Sequence, residues 1–162
     1  MQWKTPIKRR MSAWEEIEEQ YELQRREGEG GYGEVFKAID KSTKKTVAIK
    51  VVRSLFKEMS TTRTALAELQ VLRRLSSVKA NVFTPKLLTV HEYFDEGLLF
   101  LVMEHVPSDL KKVLCSAREI SFTEEHVIII LYNLLCAMNF FHSTNLMHRD
   151  LKPANILVDD LC

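Results

Sequence analysis

The chain has 162 residues, of which 46% are hydrophobic and 28% charged, with a net charge of +1. That length suits one ordinary domain, and the near-neutral balance argues against a nucleic-acid arm or an acidic tail as its main business. Cys115, Cys136 and Cys162 form no CxxC pair, which suits reduced thiols in a cytoplasmic or nuclear protein better than a disulfide frame; the N-terminus has no apolar signal-peptide core.

The first dozen residues, with Lys8, Arg9 and Arg10, read as a solvated tail, nuclear import or docking being the alternative use of the basic run. Trp14, Ile17 and Tyr21 are spaced for one face of a short charged helix or lead-in. From Tyr21 the pattern turns strand-like. "YELQRRE" leads to a glycine cluster, then "EVFKAID", a polar turn "DKSTKK" and the β-rich "TVAIKVV". A helix is predicted around residues 61–75 and strands at 87–93 and 98–103, joined by a "DEG" turn. "EHVPSD" is a connector and "LKKVLC" a short helix.

"SFTEEHVIIILYNLL" opens a long helix. Thr123 is its N-cap, and Glu124 and Glu125 lie in the first turn, where the helix dipole favours negative charge. Phe122 and Val127 are placed to form a hydrophobic staple across the cap. The apolar run 127–141, broken by Asn133 and Asn139, falls short of the roughly 18 residues wanted for a membrane span. A helix apolar on every side reads instead as the centre of a core. The expected fold is α+β: a small, mostly antiparallel sheet with one helix, a connector, and a helical part that has barely begun.

"EGEGGYGEV" contains Gly28, Gly30 and Gly33 in a G-x-G-x-x-G-x-V pattern. Glycine lets backbone N–H groups approach phosphate oxygens without a Cβ in the way. A plain glycine hairpin is one reading. The dinucleotide fingerprint is another, but it needs a helix after the loop and an acid about 20 residues on. Here β-type sequence follows, and "AIKVV" stands where that acid belongs. The hairpin form suits a flap over a nucleotide.

In "TVAIKVV", Ala48 and Lys50 share one side of the strand, and the lysine has only apolar neighbours nearby. A charge there needs an anionic partner. On the following helix Ala65, Leu69, Leu72 and Leu75 make the apolar stripe, and Glu68 falls inside it. Each charge would solve the other's problem; the alternative is a snorkelling lysine and a stripe-edge glutamate. Further on, "HRDLKPAN" gathers Asp150, Lys152 and Asn155 in one short turn stiffened by Pro153. Such an aspartate can accept a hydroxyl proton, such a lysine can neutralise phosphate, and an asparagine carbonyl can hold Mg²⁺. An ordinary polar turn is the bland alternative.

Taken in order, "GEGGYGEV", "VAIK", Glu68 and "HRDLKPAN" resemble the signature set of the eukaryotic protein kinases. The resemblance runs from about Tyr21 to the last residue. Lys152 in its loop is similar to the serine/threonine branch, and "LVMEHVPSDLKKVL" to the mitogen-activated and cyclin-dependent kinase group.

The resemblance implies a bilobal kinase-like fold, truncated: a five-stranded antiparallel sheet with one helix, then an incomplete helical lobe. It divides the chain into a tail at 1–20, an N-terminal lobe at 21–103, a hinge at 104–109 and a partial C-terminal lobe at 110–162. It implies ATP and Mg²⁺ as cofactors, with Gly28, Gly30 and Gly33 over the phosphates and Val35, Ala48 and Leu157 around the adenine. Lys50, paired to Glu68, would hold the α- and β-phosphates. The backbone of Glu104 and Val106, behind Met103, would bond the adenine edge. Asp109 would touch the ribose, with an N-cap role as the alternative. Asp150 would be the base, Lys152 would meet the γ-phosphate and Asn155 would bind Mg²⁺. His148 and Arg149 would be structural, and Tyr32 sits where some relatives carry an inhibitory phosphotyrosine.

The implied partners are a protein substrate with a Ser/Thr acceptor, proline-directed as one option, and an upstream kinase; neither nucleic acid nor membrane is expected. Two departures stand out. Glu27 precedes the first glycine, where the family usually has an aliphatic residue, so it is expected to weaken the adenine roof and Glu27→Ile to tighten ATP binding. The family's Asp-Phe-Gly does not follow "HRDLKPANILVDDLC" within the sequence, and Asp159 and Asp160 come too soon to replace it. Kinase activity of this chain alone is therefore expected to be absent. The alternative function is a catalytically inactive regulatory module that binds a nucleotide or a partner.

Overall fold

The computed structural model describes residues 11–30, 33–116 and 122–159. Lys8, Arg9, Arg10, Tyr32, Asp160 and Cys162, all singled out above, lie outside the described residues. The chain divides into two units, Met1–His105 and Val106–Cys162. The division falls inside the segment 104–109 predicted as a hinge.

In the first unit, helix α1 (Ala13–Gln20) leads into strands β1 (Tyr21–Gly30), β2 (Gly33–Asp40) and β3 (Thr46–Val52). Helix α2 (Met59–Ser77) and strands β4 (Leu87–Tyr93) and β5 (Leu98–Glu104) follow. The strands form one antiparallel sheet in the order β1-β2-β3-β5-β4. Alternation along β3 and β5 explains why both faces are apolar. Val47, Ile49, Val51, Phe100 and Val102 point to one side and join a core with Ala13 and Ile17 of α1. Val52, Leu99 and Leu101 point to the other and join Ala65 and Leu69 of α2. Strand β5 therefore reads as an unbroken apolar run, because each face has a helix on it.

The face of Trp14, Ile17 and Tyr21 read from sequence thus lies on and just after a real helix, which takes residues 13–20 out of the tail assigned to 1–20. Ala13 and Ile17 are completely buried, and Trp14 meets Phe36 and Phe100 edge-on. The apolar outer face of the sheet needs a cover, and the Trp14–Ile17 stripe supplies it. Ser12 starts the helix with a capping box: its Oγ accepts from the Glu15 amide, and its own amide donates to the Glu15 carboxylate. The amide of Ala13 donates to Glu96 at 2.8 Å, which pins α1 to the β4–β5 turn.

The polar turn after β2 is held by Asp40, whose Oδ1 accepts from the Ser42 amide, the Ser42 hydroxyl and the Thr43 amide. These bonds, the Ser42 hydroxyl foremost, bring its pKa down to about 2. After α2, Asn81 is 1% exposed. Its Nδ2 donates to the Leu75 carbonyl and to Thr84 Oγ1, and its Oδ1 accepts from the Phe83 amide. Asn81→Ala removes all three bonds, one of them to the carbonyl of buried Leu75. It is expected to destabilise the chain by about 2–3 kcal/mol in urea denaturation.

The second unit holds β6 (Ser108–Asp109), α3 (Leu110–Cys115), α4 (Glu124–Ser143) and β7 (Leu157–Val158), with a 3₁₀ turn at Pro153–Asn155. Thr123 caps α4 as predicted, and its amide donates to His126 Nδ1 at 3.1 Å. The predicted staple differs: the ring of Phe122 stacks on His126, with centroids 5.8 Å apart, while Val127 is exposed. The apolar run read above as too short for a span lies in a helix of 20 residues, because the helix takes in Glu124–His126 and His142–Ser143. By length and composition alone that helix could cross a membrane, a test that core helices of soluble proteins also pass. None of α4 is buried within this chain, and Ile128, Leu131, Tyr132 and Leu135 are exposed.

Candidate functional site

In the first unit the two orphan charges predicted from sequence do meet. Lys50 Nζ lies 2.5 Å from Glu68 Oε1 and 2.7 Å from Oε2. Strand β3 carries Lys50 to the α2 side of the sheet, and the apolar stripe of α2 brings Glu68 to the same place. The side chains are 20% and 30% exposed, so the pair is shielded but still reached by water. Across the sheet Lys50 pairs with Val35 on one side and Leu101 on the other, while Ala48 pairs with Lys37 and Met103. The register thus sets Val35, two residues after the last glycine, beside the paired lysine.

The glycines differ in what they permit. Gly30 and Gly33 are register partners at the end of the β1–β2 hairpin. Gly33 has φ +152°, and a Cβ there would lie 2.2 Å from the Val51 carbonyl oxygen. A Cβ on Gly28 would meet nothing within 4 Å, so backbone approach from that side is open.

Glu27 sits where the β1–β2 register skips a residue, between Arg26 and Gly28. The bulge re-aims its side chain. Its Oε1 accepts from Arg25 and its Oε2 lies 2.9 Å from His105 Nε2. Burial alone would raise its pKa, but the bonds from Arg25 and His105 outweigh it and hold the carboxyl below its ordinary value. His105 was not legible as a functional residue: it lies 78 positions away in a connector. The one available signal was a carboxylate at a position where the resemblance calls for an apolar residue.

In the second unit the loop Arg149–Asn155 folds on itself. Asn155 Nδ2 donates to the Asp150 carbonyl and to Asp150 Oδ2, both at 2.8 Å. Lys152 Nζ lies 2.9 Å from the same Oδ2. The Lys152 bond, then the Asn155 bond, lowers the pKa of Asp150. Among the described residues, the side-chain contacts to this carboxylate fall on Oδ2 and not on Oδ1. Arg149 takes a left-handed backbone (φ +64°), and His148 bonds the Asp150 amide and meets Phe141 edge-on; both therefore shape the loop. Leu157 pairs with Asp109, and the Leu110 amide donates to the Ile156 carbonyl, so this loop is stitched to the start of α3. Asp109 is the N-cap of α3, bonding the Lys112 amide and its ammonium, which is the alternative role read from sequence.

For Mg²⁺, the loop offers the Asn155 amide oxygen, since the amide nitrogen is the atom engaged by Asp150. Among the described residues no group of three or more His, Cys, Asp or Glu is placed to hold a metal ion. The residues fit one ligand of a hard cation and do not make a whole site.

The protein kinase domain family matches residues 21–161. Extracellular signal-regulated kinase 2 of Dictyostelium discoideum is 37% identical over 142 residues, covering 88% of this chain and 37% of that protein. Mitogen-activated protein kinase 13 of Oryza sativa subsp. indica is 39% identical over 145 residues, with 88% and 28% covered. Mitogen-activated protein kinase 15 of Xenopus laevis is 35% identical over 146 residues, with 90% and 24% covered. The chain spans well under half the length of these relatives.

Proposed function

The chain belongs to the protein kinase family, and from that premise we propose that it is a serine/threonine kinase of the mitogen-activated type that takes ATP as phosphoryl donor. The observation that carries this is the Lys50–Glu68 pair beside the glycine hairpin. An ammonium has three donors. Glu68 takes two and fixes the head, which leaves one N–H for a phosphate oxygen of ATP. Gly28, Gly30 and Gly33 admit the phosphates to backbone amides. Val35, Ala48 and Leu157 flank the adenine, and Glu104 and Val106 bond its edge behind Met103. Asp109 takes the ribose.

In the second unit Asp150 Oδ1 accepts the proton of the substrate hydroxyl. A carboxylate held ionised is a weak base, and that suffices where the transition state is loose and bond formation to the nucleophile is small. Lys152 meets the γ-phosphate. Mg²⁺, when bound, neutralises phosphate charge, and Asn155 contributes one oxygen to it. The acceptor is a Ser or Thr of a protein, proline-directed by analogy with the relatives' group, with an upstream kinase as activator and a cytoplasmic or nuclear setting.

A second reading is favoured by one observation, the single metal-directed oxygen. On that basis this chain alone binds nucleotide and transfers little phosphate. Titration calorimetry with MgATP is expected to give a saturable single-site isotherm that ADP displaces; no heat at any attainable concentration would contradict both readings. Transfer of radiolabelled phosphate to a generic substrate, abolished by Asp150→Asn, would favour the catalytic reading for the chain by itself.

A further inference from the structure

We propose that Glu27 and His105 form a latch that holds the end of β1, immediately before the glycine loop, to the segment leaving β5. Its use in fixing the loop over a nucleotide rests on the function proposed above; the latch itself does not. Strand β1 is an edge strand, and in the sheet β2 and β3 separate it from β5. Its ladder to β2 is broken twice, between Leu23 and Arg25 and between Arg26 and Gly28. Backbone pairing is therefore weakest just where the glycine loop begins.

The Glu27 carboxylate bridges that weakness. Its 2.9 Å contact with His105 spans 78 residues of sequence. The two side chains are only 16% and 8% exposed, so the contact is sheltered from solvent. Arg25 steadies the other carboxylate oxygen at 3.0 Å. His105 follows Glu104, whose backbone amide is tied to the Lys86 carbonyl at 3.0 Å, so the latch is anchored on the sheet at its far end.

A sheltered hydrogen-bonded pair has a recognisable mutational signature. Removing one partner strands the other, whereas replacing both with apolar residues of similar volume can cost nothing. The test uses the full chain with Glu27→Ile, His105→Phe and the double substitution. Amide hydrogen exchange is read at residues 26–30, with residues 47–52 of β3 as the internal reference, and MgATP affinity is measured in parallel.

Each single substitution is expected to speed exchange at 26–30 roughly tenfold, leaving the reference unchanged. The double substitution is expected to restore it. MgATP affinity should fall in the singles and recover in the double. Unchanged exchange in both singles would overturn the latch, as would a double as fast as the singles. Acceleration spread equally to β3 would also overturn it, since that is a general loss of stability. Local acceleration with recovery, but no MgATP binding by any form, would uphold the latch and sink the nucleotide reading.

Discussion

Replacing Lys50 with methionine is expected to weaken MgATP binding at least about tenfold, the loss that goes with one charge-assisted hydrogen bond to phosphate. The fold should survive. Lys50 and Glu68 keep 20% and 30% of their side chains exposed, so the stranded Glu68 can recover water. Methionine also suits the apolar surroundings on β3. Calorimetric titration of the wild-type and Lys50→Met chains checks the affinity, and thermal melting checks the fold. Equal affinity in the two would mean that the Lys50–Glu68 pair is a structural tie of α2 to the sheet and no phosphate site.

Gly33→Ala is expected to be the most damaging small substitution in the glycine loop. The backbone there has φ +152°, and the added methyl would sit 2.2 Å from the Val51 carbonyl oxygen. That oxygen belongs to β3, in the stretch where Glu34 pairs with Val51, so it cannot swing aside as a side chain would. Relief requires parting β2 from β3 at the very end that holds Lys50. A loss of about 2–4 kcal/mol is expected from the clash and the backbone strain together. Gly28→Ala supplies the control, since its methyl would meet nothing within 4 Å and surface changes of that kind stay within about 0.5 kcal/mol. Urea denaturation of the two variants should separate them clearly. Equal stabilities would contradict the close approach of β2 and β3.

Much of this was legible from local pattern. Period-two alternation marked the strands of the sheet, and two charges on two apolar faces announced the Lys50–Glu68 pair. A charge forced inside needs a partner, and there was one candidate. The dense polar turn at Asp150 was likewise readable, since its contacts are made within six residues.

What escaped was non-local. The Trp14, Ile17 and Tyr21 face of a short helix or lead-in was legible from spacing, but nothing local showed what that face covers. The role of α1 depends on the outer face of the sheet, which exists only once the five strands that follow it assemble. Glu27 shows the same limit more sharply. Read alone, it is a carboxylate spoiling an apolar roof, and Glu27→Ile should tighten nucleotide binding. With His105 in view, that substitution removes half of a pair, and the expected sign reverses. Helix α4 was correctly placed, but its apolar run was measured without the polar residues at its ends, so its length was underestimated.

In the function proposed above, Lys50, held by Glu68, and Lys152, paired with Asp150, would each meet a phosphate of ATP. The most direct measurement is affinity labelling with an acyl-phosphate derivative of ATP, which transfers its acyl group to lysines lying against the bound phosphates, followed by peptide mass spectrometry. The account predicts acylation at Lys50 and Lys152, suppressed by excess free ATP. Labelling scattered over exposed lysines such as Lys41, Lys44 and Lys57, with no protection by ATP, would contradict it.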